Sequence, residues 1–391
     1  MVTLLIIVYL AFITLGLSNP LLGAAWPAMR LVLGQPEEAL GPASMVVVLG
    51  TVLASLLSSR LVRSLGTARA VTGSVLLCAL CLILVSFTRR YALLLLIMIP
   101  LGFGCGMIDV ALNGFVALHY QAIHMNWLHC MFGLGATLGP IIMGGSLQTP
   151  AGWAGGFRMA AYVQLAVAAV LVLTLPVWRR AGPEAAADSA GRPASSLRSA
   201  LRLPGITSAM AAMFCFVGFE MLLGVWAATY LADHKGFDPA TASLFSSLYF
   251  AGITIGRFFT GLVALKMESR RIIRLSAAGS ILAGILMALP LPRPFAPAAL
   301  LLLGIANAPL FPAMVHLAPQ RFGQDNSQAA IGLLMAAAFL GGAVAPPVTS
   351  LTVRLSSLAA IPWLVLALAV PGCWFSQRID RAIGREKLTN L

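Results

Sequence analysis

The sequence predicts an all-α membrane protein, with twelve transmembrane helices arranged as two six-helix bundles. Three observations carry that prediction. Of the 391 residues, 60% are hydrophobic and only 9% charged, where a soluble domain carries about 25% charged residues. Apolar runs of the length needed to cross a bilayer, about 20 residues, can be counted twelve times. One long polar segment, residues 178–205 (WRRAGPEAAADSAGRPASSLRSALRLPG), divides them six and six.

The first six runs, bounded by charge, Pro or Gly, fall near 2–29, 42–62, 69–88, 91–118, 121–147 and 157–178. The second six fall near 206–232, 239–264, 271–290, 295–318, 327–350 and 358–377. The first run begins almost at Met1 with no basic leader and is expected to remain as an uncleaved helix. The polar segment is rich in Ala, Ser, Pro and Arg, cannot bury a core, and is expected to be a linker. The expected division is therefore an N-terminal bundle at 1–180, a cytoplasmic linker at 181–205, a C-terminal bundle at 206–378 and a cytoplasmic tail at 379–391.

A net charge of +13 is of the size that nucleic-acid binding produces, but its distribution assigns it to topology. Seventeen Lys and Arg fall on the side of the linker and tail, seven on the other, and Arg257 lies within a span. By the positive-inside rule the linker and both termini face the cytoplasm. The expected setting is the inner (cytoplasmic) membrane, with the lipid bilayer and no nucleic acid as partner. The six cysteines all fall inside spans and read as packing residues or free thiols. Cys78 and Cys81 have a metal-like spacing but lie mid-span without a second ligand pair, so no metal and no cofactor are expected.

The halves resemble each other at a shift near 201 residues. PLLGAAW at 20–26 lies over MLLGVWA at 221–227, and RLVRSLGTARAV at 60–71 over GLVALKMESRRI at 261–272. FGLGATLGP at 132–140 resembles FLGGAVAPP at 339–347. Parallel duplication is a recurrent origin of transporter folds. The overlay places Asn19 of the first helix over Glu220 of the seventh, so both are expected on one central cavity.

The stretch Ile99–Gly145 is the densest in polar side chains at membrane depth: Asp109, Asn113, Asn126 and His129. An ionisable group there costs roughly 2.5–3.5 kcal/mol on insertion scales and needs a partner, a proton or water. Asp109 and Glu220 are the two acids inside spans. Desolvation favours the uncharged form of a carboxyl, so such acids are candidates to take and release a proton. Asp109 and Asn113, four apart, share a helix face, as do Asn126 and His129, three apart. From a rise of about 1.5 Å per residue, Asp109, His129 and Arg257 fall in one layer, and Asp109 is expected within one water of His129 or Arg257. A wall of Asn, Asp, His and Trp suits a hydroxylated ligand, with Trp226 as the aromatic candidate. Trp26 and Trp153 are expected in the interfacial belt. Gly102, Gly104 and Gly106 follow no strand and read as close helix packing, not as a nucleotide loop. His119 and His124 are expected to be solvated.

At these residues the chain resembles the major facilitator transporters, and within them the fucose–galactose–glucose:proton symporters, the fucose permease-like family. The likeness lies in Asp109 followed by Asn113; in Asn126, His129 and Gly135-Ala136; in VGFEMLLGVWAATYL around Glu220; and in GRFFTG and NAPLFP, with Arg257 and Asn307. It implies two bundles rocking about a central site lined by helices 1, 4, 7 and 10, and a monosaccharide moved with a proton. On this reading Asp109, Glu220 and His129 couple the proton. Asn19, Asn113, Asn126, His129, Glu220, Trp226 and Asn307 bind the substrate, and Arg257 is an interdomain ion-pair candidate. The chain departs from the family in having Ser18, Asn19 and Pro20 where the first helix commonly carries an acid, His129 where Gln is frequent, and Arg63 where Asp is usual. A monomer is expected. An exporter of amphipathic compounds or a lipid flippase is the alternative; a sensor would be expected to carry an appended signalling segment, and an enzyme a metal-ligand cluster or a nucleophile–base pair, neither of which is read from the residues.

Overall fold

The structure, a computed structural model, describes residues 2–120, 122–178, 200–263, 266–323 and 326–389. It is 88% helical, with no strand among the described residues. Twelve helices are long and apolar enough to cross a membrane. They are numbered here in chain order. α1 is Val2–Ser18 continued by Leu21–Val32, α2 is Leu40–Leu65, α3 is Thr67–Phe87, α4 is Tyr91–His119, α5 is Ala122–Leu147 and α6 is Gly152–Leu173. α7 is Ile206–Thr229, closing in a π turn at Tyr230–His234, and α8 is Pro239–Val263. α9 is Ser269–Ala288, α10 is Phe295–Asn307 continued by Leu310–His316, α11 is Ser327–Leu355 and α12 is Ile361–Thr389. The expected linker, 181–205, lies outside the described residues up to position 199.

Two helices are broken where proline removes a backbone donor and crowds the preceding turn. α1 stops at Asn19–Pro20 and restarts with the Ala24 N–H on the Pro20 carbonyl at 2.9 Å. α10 stops after Asn307 and restarts with the Ala313 N–H on the Pro309 carbonyl at 3.0 Å. Two other ends differ from expectation. α6 begins at Gly152, because glycines that look like a loop are packing positions: a Cβ at Gly155 or Gly156 would stand 2.5 Å from Ser146 Oγ or 2.6 Å from Met143 Sδ. The helix of α12 continues through 379–389, the expected tail. There Asp380 draws Arg321 at 3.2 Å and Arg270 at 3.8 Å, tying α12 to the start of α9 and to the segment after α10. Arg321 is only 2% exposed, and that carboxylate is its counter-charge.

In hydrocarbon, helices associate by close packing rather than by the hydrophobic effect, and small residues let backbones touch. α1 and α5 interlock in this way. A Cβ on Gly16 would stand 2.0 Å from the Phe132 carbonyl, and one on Gly135 2.0 Å from that of Ile13. α2 and α4 meet with Gly50 over the Ile99 carbonyl and Gly102 over that of Val47, at 2.3 and 2.0 Å. The second half repeats the pattern. Gly252 of α8 meets the Leu301 carbonyl of α10 at 2.3 Å, each residue 202 positions beyond Gly50 and Ile99 (252 less 50, 301 less 99). Gly341 of α11 meets Phe214 of α7 at 2.1 Å. The pairs 1–5 and 2–4 thus recur as 7–11 and 8–10, which is the internal repeat seen as packing. All six cysteines are free thiols.

By contacts the chain separates into two compact units: Met1–Ser189 with Ala227–Ala251, and Ala190–Trp226 with Gly252–Leu391. The first unit therefore includes one end of α7 and of α8, which the division at 206–378 places with the second bundle. Three contacts hold that end. Arg30 pairs with Asp233 at 3.1 Å and with Glu37 at 3.6 Å. The Ser243 hydroxyl donates to the Pro140 carbonyl at 3.0 Å. Gly144 packs at the Ala240 carbonyl, with no room for a Cβ. Asp238 caps α8, accepting the Thr241 N–H at 3.0 Å ahead of Pro239 at the first helical position.

Two outcomes follow for stability in detergent, read by thermal unfolding. Gly135→Val, which forces a side chain against backbone, should cost at least the about 1–3 kcal/mol of overpacking, while Gly145→Ala, with nothing within 4 Å of its Cβ, should unfold like the parent. The hydrogen bonds from Thr241 hold the Asp238 carboxyl below its ordinary value. That stabilisation is complete above a pKa near ~3.9 for the unfolded chain and is lost as pH falls through the lower folded value. Asp238→Ala should accordingly destabilise the protein at pH 7 and much less at pH 3.

Candidate functional site

In the first unit, Asp109 lies about two-thirds of the way along α4. The i, i+4 spacing brings Asn113 onto it as expected: the Asn113 amide donates to Asp109 Oδ1 at 2.8 Å and to the Asp109 carbonyl at 2.9 Å. Among the described residues no cation forms an ion pair with Asp109. His129 of α5 stands edge-on to Phe12 of α1, with ring centroids 5.8 Å apart. Asn19 is exposed at the break in α1. The Asn126 side chain lies outside the described residues.

The second unit holds a three-helix constellation. Arg257 Nη2 of α8 is 3.6 Å from Glu220 Oε1 of α7, and the Asn307 amide of α10 donates to Glu220 Oε2 at 3.1 Å. The Glu220 and Arg257 side chains are only 12% and 14% exposed, and Asn307 is buried. Each member comes from a different helix. Asn307 is the last residue before the break in α10, so the break itself fixes where its amide points. The ion pair of Arg257 is made with Glu220, in the same half of the chain. It arises because the Gly252 and Gly256 contacts bring α8 against α10, where Asn307 reaches Glu220.

Trp226 departs from its expected place as an aromatic wall. Trp226 is fully buried, its indole N–H donating to the Pro346 carbonyl of α11 at 3.4 Å, so it presents no ring face to a solute. Trp26 is also buried, donating to the Glu37 carbonyl at 3.0 Å, and Trp153 is buried beneath Arg89. A buried indole needs an acceptor for its N–H, and helix and loop carbonyls supply them to Trp226 and Trp26. His119 stacks on Phe115 at 4.3 Å, and His124 meets the Tyr9 hydroxyl at 3.3 Å, so both are engaged rather than simply solvated. One buried polar residue was not singled out from the sequence. Gln164 of α6 donates to the Ser18 hydroxyl and to the Thr14 carbonyl, joining α6 to α1 one residue before its break. Its signal was a lone amide in an apolar run.

The two carboxyls thus keep different company. Among the described residues Asp109 is met by an amide, and Glu220 by a cation and an amide. Polar groups of this kind, confined to helix interiors in a twelve-span protein, are characteristic of solute carriers. A family model of the Major Facilitator Superfamily matches residues 8–346, with a further match over 209–388. The chain belongs to that superfamily and is a secondary transporter with its fold, twelve membrane helices in two six-helix bundles. The superfamily is a family of transporters rather than enzymes. A search of curated proteins finds no match to the chain.

Glu220→Gln should leave Arg257 at membrane depth without its carboxylate. Breaking one side of a buried pair costs about 3–5 kcal/mol, whereas removing both charges is often neutral. The single variant should therefore melt well below the parent, and Glu220→Gln with Arg257→Gln should recover most of the loss in the same thermal assay.

Proposed function

We propose that the chain moves a small hydroxylated solute of the monosaccharide class across the cytoplasmic membrane, coupled to protons, by alternating access. Asp109 carries this reading. A carboxyl at membrane depth that is met by an amide and, among the described residues, by no cation is suited to change its protonation state. Asn113 stays bonded to it through either state, since both its acceptors lie on Asp109 itself. His129 is the other titratable group proposed for the relay. On the first half Asn19, exposed at the break of α1, Asn113 and Asn126 are proposed as hydrogen-bonding groups for hydroxyls, and on the second half Glu220 and Asn307. The fucose permease-like resemblance supports a sugar, and the helix 1 position without an acid leaves Asp109 as the principal proton carrier.

Seventeen basic residues against seven support a cytoplasmic linker and cytoplasmic termini. On that orientation the Arg30–Asp233 pair and the Ser243–Pro140 bond lie at the outer end. The chain is proposed to work as a monomer.

The test is uptake into proteoliposomes of purified protein under an inward proton gradient, with a labelled panel of neutral sugars and sugar acids. At least one member should accumulate and be released by a protonophore. Asp109→Asn should reduce gradient-driven accumulation tenfold or more and retain counterflow exchange. Unchanged accumulation would remove Asp109 from coupling. A panel without a single substrate, with extrusion of a lipophilic cation instead, would replace sugar transport by amphipathic export.

A further inference from the structure

A groove of about 660 Å³ runs between the end of α5 and the beginning of α6, and neither Asp109 nor Glu220 lines it. Its size is that of a site for an organic ligand. The floor is apolar, formed by Ile141 and Ile142 of α5 and Met159 of α6. Gly145 gives it room, since nothing lies within 4 Å of where its Cβ would stand. The groove is on the outside of the helix packing. α6 packs on α1, α3 and α5, and its buried Gln164 turns toward α1. Tyr162, two residues earlier and so about 200° around the helix, lines the groove and is 60% exposed. In a protein that crosses the bilayer, an exposed apolar face of this kind meets lipid.

Arg158 brings a charge into this groove. It stands six residues beyond the start of α6 at Gly152, about 9 Å along the axis, where a cation beside lipid is costly without an anion. Among the described residues no carboxylate pairs with it. Its Nε reaches back one turn to the Ala154 carbonyl at 3.4 Å, which draws the guanidinium toward the level of the lipid headgroups. At the rim, the proton of the Thr149 hydroxyl is committed to the Ser146 carbonyl at 2.7 Å, so Thr149 offers a ligand an acceptor and not a donor.

We infer that this groove holds one anionic phospholipid with a hydroxylated headgroup, of the phosphatidylglycerol type. Its phosphate sits on Arg158, a headgroup hydroxyl donates to Thr149, and an acyl chain lies along Ile141, Ile142 and Met159. The inference needs the chain to be a membrane protein and does not depend on the solute proposed above. The planar fork of an arginine matches a phosphate, and one arginine balances the single charge of a phosphodiester. A zwitterionic lipid would bring an ammonium to the same rim, and no acidic side chain lines the groove to receive it. A free glycerol phosphate has the anion but leaves the apolar floor uncovered.

The experiment mixes the purified protein, in mild detergent, with phosphatidylglycerol or phosphatidylcholine of the same acyl chains. Retained lipid is counted by native mass spectrometry and the melting temperature is followed. Wild type should retain one phosphatidylglycerol about tenfold more readily than phosphatidylcholine. That lipid should raise the melting temperature, and glycerol phosphate should not. Arg158→Gln should bring retention of phosphatidylglycerol down to the phosphatidylcholine level. Gly145→Leu, which fills the groove from a position with free space, should lower retention of both lipids. Arg354→Gln, which removes an exposed cation of α11, should keep the wild-type preference. Equal retention of the two lipids by wild type, or a preference that survives Arg158→Gln, overturns the inference. A preference lost equally in Arg354→Gln makes it an effect of overall charge, and a thermal shift from glycerol phosphate equal to that from the lipid makes the site one for a soluble anion; either result also overturns it.

Discussion

Backbone contact at glycine is the constraint on which the remaining architecture rests. Gly16 and Gly135 bring α1 and α5 together at a separation that no Cβ permits, and Gly50 and Gly102 do the same for α2 and α4. Such contact fixes helix rotation as well as distance, because only the glycine face can approach. Rotation then decides which side chains look inward. Gly252 and Gly256 against α10 are the reason Arg257 and Asn307 converge on one carboxylate. The polar groups are not placed by attraction across the membrane; they are delivered by packing whose own residues are apolar or absent.

The recurrence of these contacts about 200 residues later gives the two halves a common frame, yet they have been furnished differently. In the first, the carboxyl on α4 is paired with an amide four residues along its own helix. In the second, the carboxyl on α7 is shared among three helices and includes a cation. A local pair stays intact when neighbouring helices shift. A three-helix pair does not, since any displacement of α8 or α10 alters it. The first arrangement is thus insensitive to displacement of neighbouring helices, and the second is not.

How far this could be read beforehand follows the range of each interaction. The twelve spans were legible because membrane thickness imposes a length on each one, and Asp109 with Asn113 because a helical repeat relates them. The glycine triplet at 102, 104 and 106 was legible as packing from its apolar surroundings. By contrast, the pairing of Glu220 with Arg257 depends on which helices touch, and nothing in either segment specifies a partner. Trp226 was misplaced for the same reason: six residues from Glu220 it could have faced a cavity, but the Pro346 carbonyl that receives its N–H is 120 positions away. The start of α6 was misjudged because glycine has two meanings. In water it signals a turn; between membrane helices it signals contact, and only the neighbour, here Met143, distinguishes them.

Asn307 occupies two roles at once, as the residue where α10 is interrupted and as a donor to Glu220. The amide's aim is therefore a function of the bend. If α10 straightens or swings about Pro309, the carboxylate loses a donor; if the carboxylate acquires a different partner, the bend loses a tether. Shape and polar contact are linked here by one side chain, so that the interruption of α10 ends on an acid of α7.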